Sequence, residues 1–253
     1  MSEENKRSIR ISVRNLVEFV LRSGDIDNRR SGNAQKDAML AGGRIHRKIQ
    51  KRMGSGYRAE VPLKHEVTDD EQEIVLSVEG RADGIFTENG ITVIDEIKGM
   101  YTDVARLEAP IEVHLAQAMC YGYIYCCDKD LDGIRLQLTY CNLETEEIRR
   151  FQTDRSKEEL EQWFSGVVHE YFKWARYLYH HELTRDASIR NLEFPYPYRE
   201  GQRDLVVSVY RTISRKKRLF IQAPTGIGKT LSTVFPAVRA IGEGKGDKLF
   251  YLT

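Results

Sequence analysis

The sequence predicts an α/β chain in two parts, a mixed β-sheet flanked by helices followed by the opening of a second, smaller α/β unit. Three observations predict it. Apolar alternation at residues 58–67, 74–78 and 134–140 has the period of half-buried strands, and 147–151 adds a further strand across a turn at 142–146. Helical spacing at 12–21, 42–53 and 111–127 sets helices among them. Ser156-Lys157-Glu158-Glu159 is a capping box that opens a long helix, with Leu160, Trp163, Phe164, Val167, Tyr171, Trp174 and Leu178 on its apolar stripe. Near the end, an apolar strand at 219–221 runs into a glycine-bearing loop and a helix at 231–241, and 248–253 reads as the next strand.

Pro195 and Pro197 interrupt helix between the two parts, so the expected domains are residues 1–185 and 186–253. With 253 residues, 41% of them apolar, the chain is long enough for one complete core and a piece of another. No apolar run approaches membrane-spanning length and the polar start is not a signal peptide, so a cytoplasmic location is expected. A net charge of +1 does not point to nucleic acid by itself, and charge must be read locally. Residues 42–59 carry Arg44, Arg47, Lys48, Lys51, Arg52 and Arg58 without an acid, a segment suited to backbone phosphates or to a solvated helix face.

The chemistry begins at residues 79–98. Asn89-Gly90 is the preferred pair for a two-residue type I′ turn, and the flanks Ile85-Phe86 and Ile91 to Ile94 are strand-like. Counting outward from that turn sets Asp83 opposite Glu96, with Lys98 two residues further along the same side. Facing carboxylates repel unless a cation lies between them, and hard oxygen donors suit Mg²⁺ or Mn²⁺. Asp95 alternates to the other face and is left out. Taken singly, Asp83 is a strand end before Gly84 and Glu-x-Lys a solvated pair; the register joins them into a metal site.

Asp83 followed by Glu96-Ile97-Lys98 resembles the PD-(D/E)xK nuclease core, and GRADGI with VIDEIKG resembles its RecB-type branch. The resemblance implies a restriction-endonuclease-like fold over the first part. It implies that His46, in Gly42-Gly43-Arg44-Ile45-His46, joins Asp83 and Glu96 as a metal ligand. It also implies that Gln117 and Tyr121 form the Q-x-x-x-Y element that meets DNA or the catalytic lysine. Ala82 stands where the family name has proline. Cys120, Cys126, Cys127 and Cys141 all follow the core without C-x-x-C spacing, which reads as buried, reduced thiols rather than a cluster that clamps the fold.

Ala223-Pro224-Thr225-Gly226-Ile227-Gly228-Lys229-Thr230, between a strand and a helix, has the context of a P-loop. Backbone N–H groups at Thr225, Gly226 and Gly228 would hold phosphates, Lys229 would reach the β- and γ-phosphates of ATP, and Thr230 would bind Mg²⁺. This wording resembles superfamily 2 helicases. Upstream, Tyr196 to Gln202 is similar to their adenine-reading segment, with Gln202 on the adenine edge and an aromatic between Phe194 and Tyr198 stacking on it; an ordinary linker and amphipathic helix is the equal alternative.

Together the parts resemble XPD/DinG-like DNA helicases with an N-terminal RecB-type nuclease domain. The resemblance implies a DNA partner, single-stranded by expectation. Three functions stay open: a metal-dependent nuclease joined to a helicase ATPase, an inactive nuclease-like grip on DNA joined to the same ATPase, or a P-loop ATPase acting on RNA or protein. Residues 202–253 are fewer than a RecA-like domain needs, so they are expected to hydrolyse little or no ATP on their own.

Overall fold

A computed structural model describes residues 6–22, 32–71 and 73–252, with only the backbone for 32–39. The chain divides into two compact units, Met1–Trp174 and Ala175–Thr253. Among the described residues no helix is long and apolar enough to cross a membrane.

The first unit is α/β, a mixed six-stranded sheet flanked by helices. Its elements are β1 (Arg7–Ser12), α1 (Val13–Val20), α2 (Gly32–Arg52), β2 (Arg58–Thr68), β3 (Ile74–Glu88), β4 (Ile91–Met100), α3 (Glu112–Lys129), β5 (Gly133–Asn142), β6 (Ile148–Ser156) and the start of α4 (Lys157–Arg190). The long β3 organises the sheet. One of its edges pairs antiparallel with β2; the other is shared, parallel to β1 over residues 74–79 and antiparallel to β4 over 84–88. α3 is the crossover that lets β5 run parallel to β4, and β6 returns antiparallel.

Alternation along β4 sends successive side chains to opposite helices. Ile97 packs with Ile45 and Ile49 of α2 and with Cys141, whereas the Lys98 amine reaches Gln117 of α3. Leu136, Leu138, Ile124 and Phe164 fill the centre of the unit, and α1 adds Leu16 and Val17. Ser12 caps α1 by accepting from the Asn15 N–H at 3.1 Å. The capping box at α4 forms as read: the Ser156 hydroxyl accepts from the Glu159 N–H, and the Glu159 carboxylate accepts from the Ser156 N–H.

Several expectations are corrected. β1 is a strand that the sequence reading did not assign. The apolar stripe of α4 drifts: Leu160, Phe164 and Val167 are buried, but the buried face continues through Val168, Phe172 and Ala175, leaving Trp174 and Leu178 exposed. A stripe extended at strict i, i+3, i+4 spacing over so many turns misses that rotation. Cys127 is half-buried whereas Cys120, Cys126 and Cys141 are buried, and all four are free thiols.

In the second unit α5 (Gln202–Ser214) packs on α6 (Lys229–Gly242) through Leu205, Val206, Phe235 and Ala240. The strands expected at 219–221 and 248–253 are not formed among the described residues. A strand of this kind is held by ladder bonds and by cover on both faces. Phe220 and Leu252 are 93% and 92% exposed, so that cover is missing.

Candidate active site

The hairpin forms in the predicted register, Glu88 opposite Ile91 and Gly84 opposite Asp95, around Asn89 and Gly90 at φ +51° and +82°. Gly84↔Asp95 is its last rung, one step short of the Asp83 and Glu96 pair. On the same edge of β3 the β1 ladder ends at Ser12↔Glu79, so residues 80–83 have no ladder partner there. β3 and β4 part as a wedge at this point. The Asp83 carboxylate stands in the opening and accepts from the Ile97 N–H at 2.7 Å, which satisfies a donor that the parted ladder leaves free.

Asp83 is held from two further directions. His46 of α2 brings Nδ1 to 3.3 Å from Asp83 Oδ1. Gln50, one turn later, donates to the Asp83 carbonyl at 2.9 Å. That carbonyl is reachable because Glu60, at φ +53°, interrupts the β2–β3 register between Ala59↔Gly84 and Val61↔Ala82.

Lys98 is shared between Glu96 Oε1 at 2.7 Å and Gln117 Oε1 at 2.8 Å. Glu96 is buried, and its other oxygen, Oε2, has no hydrogen-bond partner. Burial, and after it the Asp83 charge, raise the Glu96 carboxyl to about 7, while Lys98 pulls the other way. Burial alone would depress His46; the hydrogen bond and charge of Asp83 outweigh it, so the imidazole sits above its ordinary value. Tyr121 is buried with its hydroxyl over the unpaired stretch of β3, where a Cβ on Gly80 would come within 2.6 Å of it. Burial pushes its phenol upward.

The donor set fits a hard divalent cation: one imidazole and two carboxylates, one of which has a buried oxygen without a donor, a deficit that costs about 1–3 kcal/mol when left unmet. His46, Asp83 and Glu96 do not, however, bring one ligand atom each within 4.8 Å of one another. Asp83 turns an oxygen to His46 and Glu96 turns one to Lys98, so each acid leans on its own nitrogen partner.

Sequence reasoning missed the other side of the wedge. Asp95 is buried and accepts from Tyr57, Gln137 and Thr139, and burial raises its carboxyl against those bonds. The available signal was an acid between apolar neighbours on a central strand. His114, one turn before Gln117, was missed as well. The Tyr140 hydroxyl accepts from the Ile111 N–H, which leaves its own proton for His114 Nδ1 at 3.2 Å. Burial, then the Lys98 charge, lower that imidazole to about 4.

On the basic helix, Lys48 bonds Glu146 and Arg52 lies 3.8 Å from it, whereas Arg44, Arg47 and Lys51 are exposed.

In the second unit the predicted loop leads straight into α6, which begins at Lys229 behind Gly228 at φ +79°. Gly226, at φ +92°, also adopts a conformation that side chains resist. Lys229 folds back over the loop and donates to the carbonyls of Ala223 and Pro224, both at 3.1 Å. Thr230 bonds the Tyr251 hydroxyl at 3.0 Å, and Thr225 is exposed. Gln202 is buried, not facing an open cleft: its amide oxygen accepts from the Arg199 N–H and its nitrogen donates to the Ile227 carbonyl. An adenine edge would meet only the remaining N–H and lone pair. Arg199 also donates to the Gly226 carbonyl, so both residues brace the loop. Phe194 and Tyr198 stack on each other at 4.3 Å, and Tyr196 is exposed.

No family model matches the chain. Over 47 residues it is 45% identical to the Probable ATP-dependent helicase MJ0942 of Methanocaldococcus jannaschii; the match spans 18% of this chain and 7% of that protein. A solved structure titled Crystal structure of SSO0001 aligns with a TM-score of 0.41 at 18% identity, covering 66% of this chain and 77% of the other.

Proposed function

We propose that residues 1–185 are a divalent-metal-dependent DNA nuclease domain of PD-(D/E)xK type, and that residues 186–253 begin the ATP-binding domain of an XPD/DinG-like superfamily 2 helicase. The observation that carries the first part is the parted strand pair, where Asp83 stands in the opening, Glu96 keeps a buried carboxylate oxygen without a donor and Lys98 bonds its other oxygen. Asp83 and Glu96, with His46, would hold Mg²⁺ or Mn²⁺. When bound, such an ion supplies Lewis acidity and a more acidic water.

The chain's own residues do the rest. Asp83 accepts from the Ile97 N–H at its carboxylate and from Gln50 at its carbonyl. Gln117 orients the Lys98 amine beside Glu96, where its charge offsets the charge that develops on a scissile phosphate. Tyr121 covers the unpaired backbone of β3 at Gly80. Arg44, Arg47 and Lys51 would meet the DNA backbone and make binding salt-dependent.

In the second part, phosphates would take the place of the Ala223 and Pro224 carbonyls as acceptors for Lys229. The loop N–H groups of Thr225, Gly226 and Gly228 would hold the phosphates and Thr230 the Mg²⁺. Gln202 sets the loop's shape and offers the base its remaining N–H. A helicase so equipped would use ATP to feed single-stranded DNA to the nuclease.

The test is cleavage of a fluorescently labelled single strand in Mg²⁺ or Mn²⁺. Glu96→Ala and Lys98→Ala should each lower the rate roughly a hundredfold or more with circular dichroism unchanged. Cleavage at the wild-type rate by either variant refutes the assignment. A second reading, an inactive nuclease-like grip on DNA, is favoured by the three candidate ligands not converging. Metal-independent DNA binding without cleavage by the wild type would select it.

A further inference from the structure

Asp95 stands back to back with Glu96 on β4, and nothing in the proposed chemistry uses it. Its neighbours on the same face, Val93 and Ile97, are fully buried and apolar, so an apolar side chain would suit position 95 for packing alone. The carboxylate instead accepts three hydrogen bonds from neutral donors: the Tyr57 hydroxyl at 3.0 Å, Gln137 Nε2 at 3.0 Å and the Thr139 hydroxyl at 2.6 Å. Gln137 is itself held by Gln152 at 2.7 Å. Only a carboxylate, an acceptor at both oxygens, takes all three bonds at once.

The position of this network in the wedge gives it a role. Asp95 belongs to the last rung of the β3–β4 ladder, and its partner there is Gly84. The Tyr57 ring occupies the space over Gly84, where a Cβ would fall 1.8 Å from ring atoms, and it stacks on Phe86. Tyr57 lies in the segment that joins α2 to β2, just beyond the helix that carries His46 and Gln50. From the segment that follows the helix bearing His46, Tyr57 therefore bonds the strand bearing Glu96 through its hydroxyl and packs on the strand bearing Asp83 through its ring, at the residue before the strands part.

We propose that Tyr57, bonded to Asp95 across Gly84, is a positioning residue that fixes how far β3 and β4 separate and so sets Asp83 against Glu96 on the opposite face. This rests on the metal-dependent nuclease reading. Tyr57 touches neither DNA nor the ion and acts through the last rung.

Tyr57→Phe removes the hydroxyl and keeps the ring over Gly84; Asp95→Asn keeps the shape and removes the charge. Three quantities are read: the affinity for Mn²⁺ alone by calorimetry, kcat and KM on a single strand, and hydrogen exchange of the Ile97 amide without metal. Each variant should bind Mn²⁺ about tenfold more weakly and lose kcat at unchanged KM. Each should exchange the Ile97 amide faster, because its acceptor Asp83 is no longer held in place. Wild-type Mn²⁺ affinity and kcat in Tyr57→Phe overturn the proposal even if the melting temperature falls, and so does unchanged Ile97 exchange. If Asp95→Asn does not fold, Tyr57→Phe alone decides. A wild type that neither binds Mn²⁺ nor cleaves would sink the nuclease reading instead, and Ile97 exchange would still report on the clamp.

Discussion

The acidic wedge of the first unit and the phosphate loop of the second hold their polar groups in opposite ways. In the wedge, side chains from α2, β3, β4 and α3 are carried together, with Glu96 and Gln117 buried and His46, Asp83 and Lys98 half-buried. In the loop, consecutive residues place mostly exposed side chains, and the backbone conformation is the device. A site of the first kind depends on what surrounds it. A site of the second kind depends on its own dihedral angles.

That difference sets what substitutions should do. The largest effect in the loop belongs to Lys229, which is exposed and bonded to two loop carbonyls. Lys229→Ala should weaken nucleotide binding roughly tenfold to a hundredfold, the range for a lost charged hydrogen bond, and leave the melting temperature where it was. Titration with a fluorescent ATP analogue checks it, and a fall in stability of similar size would erase the contrast.

Two glycines come next. Gly84→Ala drives a Cβ into the Tyr57 ring and should cost about 3 kcal/mol through overpacking. Gly226→Ala meets nothing within 4 Å, and only its φ of +92° resists, at about 1–2 kcal/mol. Urea denaturation followed in each unit separates the values; equal costs would mean that the wedge is no more tightly packed than the loop.

A pH dependence comes last. His114 titrates near 4 in the folded chain, below its ordinary 6.5, because burial and then Lys98 disfavour its charge. The unfolded chain therefore takes up the proton first, and stability falls as pH drops from about 6.5 toward 4. His114→Gln should flatten that part of the denaturation-midpoint profile. A variant as acid-sensitive as the wild type would place the titration elsewhere.

Much of this was legible in the residues, for identifiable reasons. Asn89-Gly90 permits few turn types, so the hairpin register from Gly84 to Asp95 followed by counting. The capping box at Ser156 and Glu159 is equally local. β1 was not legible, since its six residues gain strand character only from a parallel partner on β3, far along the chain. The parting of the strands was hidden too, because pairing extrapolated from a turn has no means of stopping. Gln202 shows the same limit: its helix was read correctly, but its amide was already committed to Arg199 and Ile227. Tyr57 and Asp95 carry no motif, and their meaning appears only once Gly84 is seen beneath the ring.

The account stands on a divalent ion held where β3 and β4 separate. A crystal of the chain soaked in Mn²⁺ and measured for anomalous scattering tests this directly. The account predicts a peak bound by the Asp83 and Glu96 carboxylates; a map with no peak there, or with Mn²⁺ only at other acids, would contradict it.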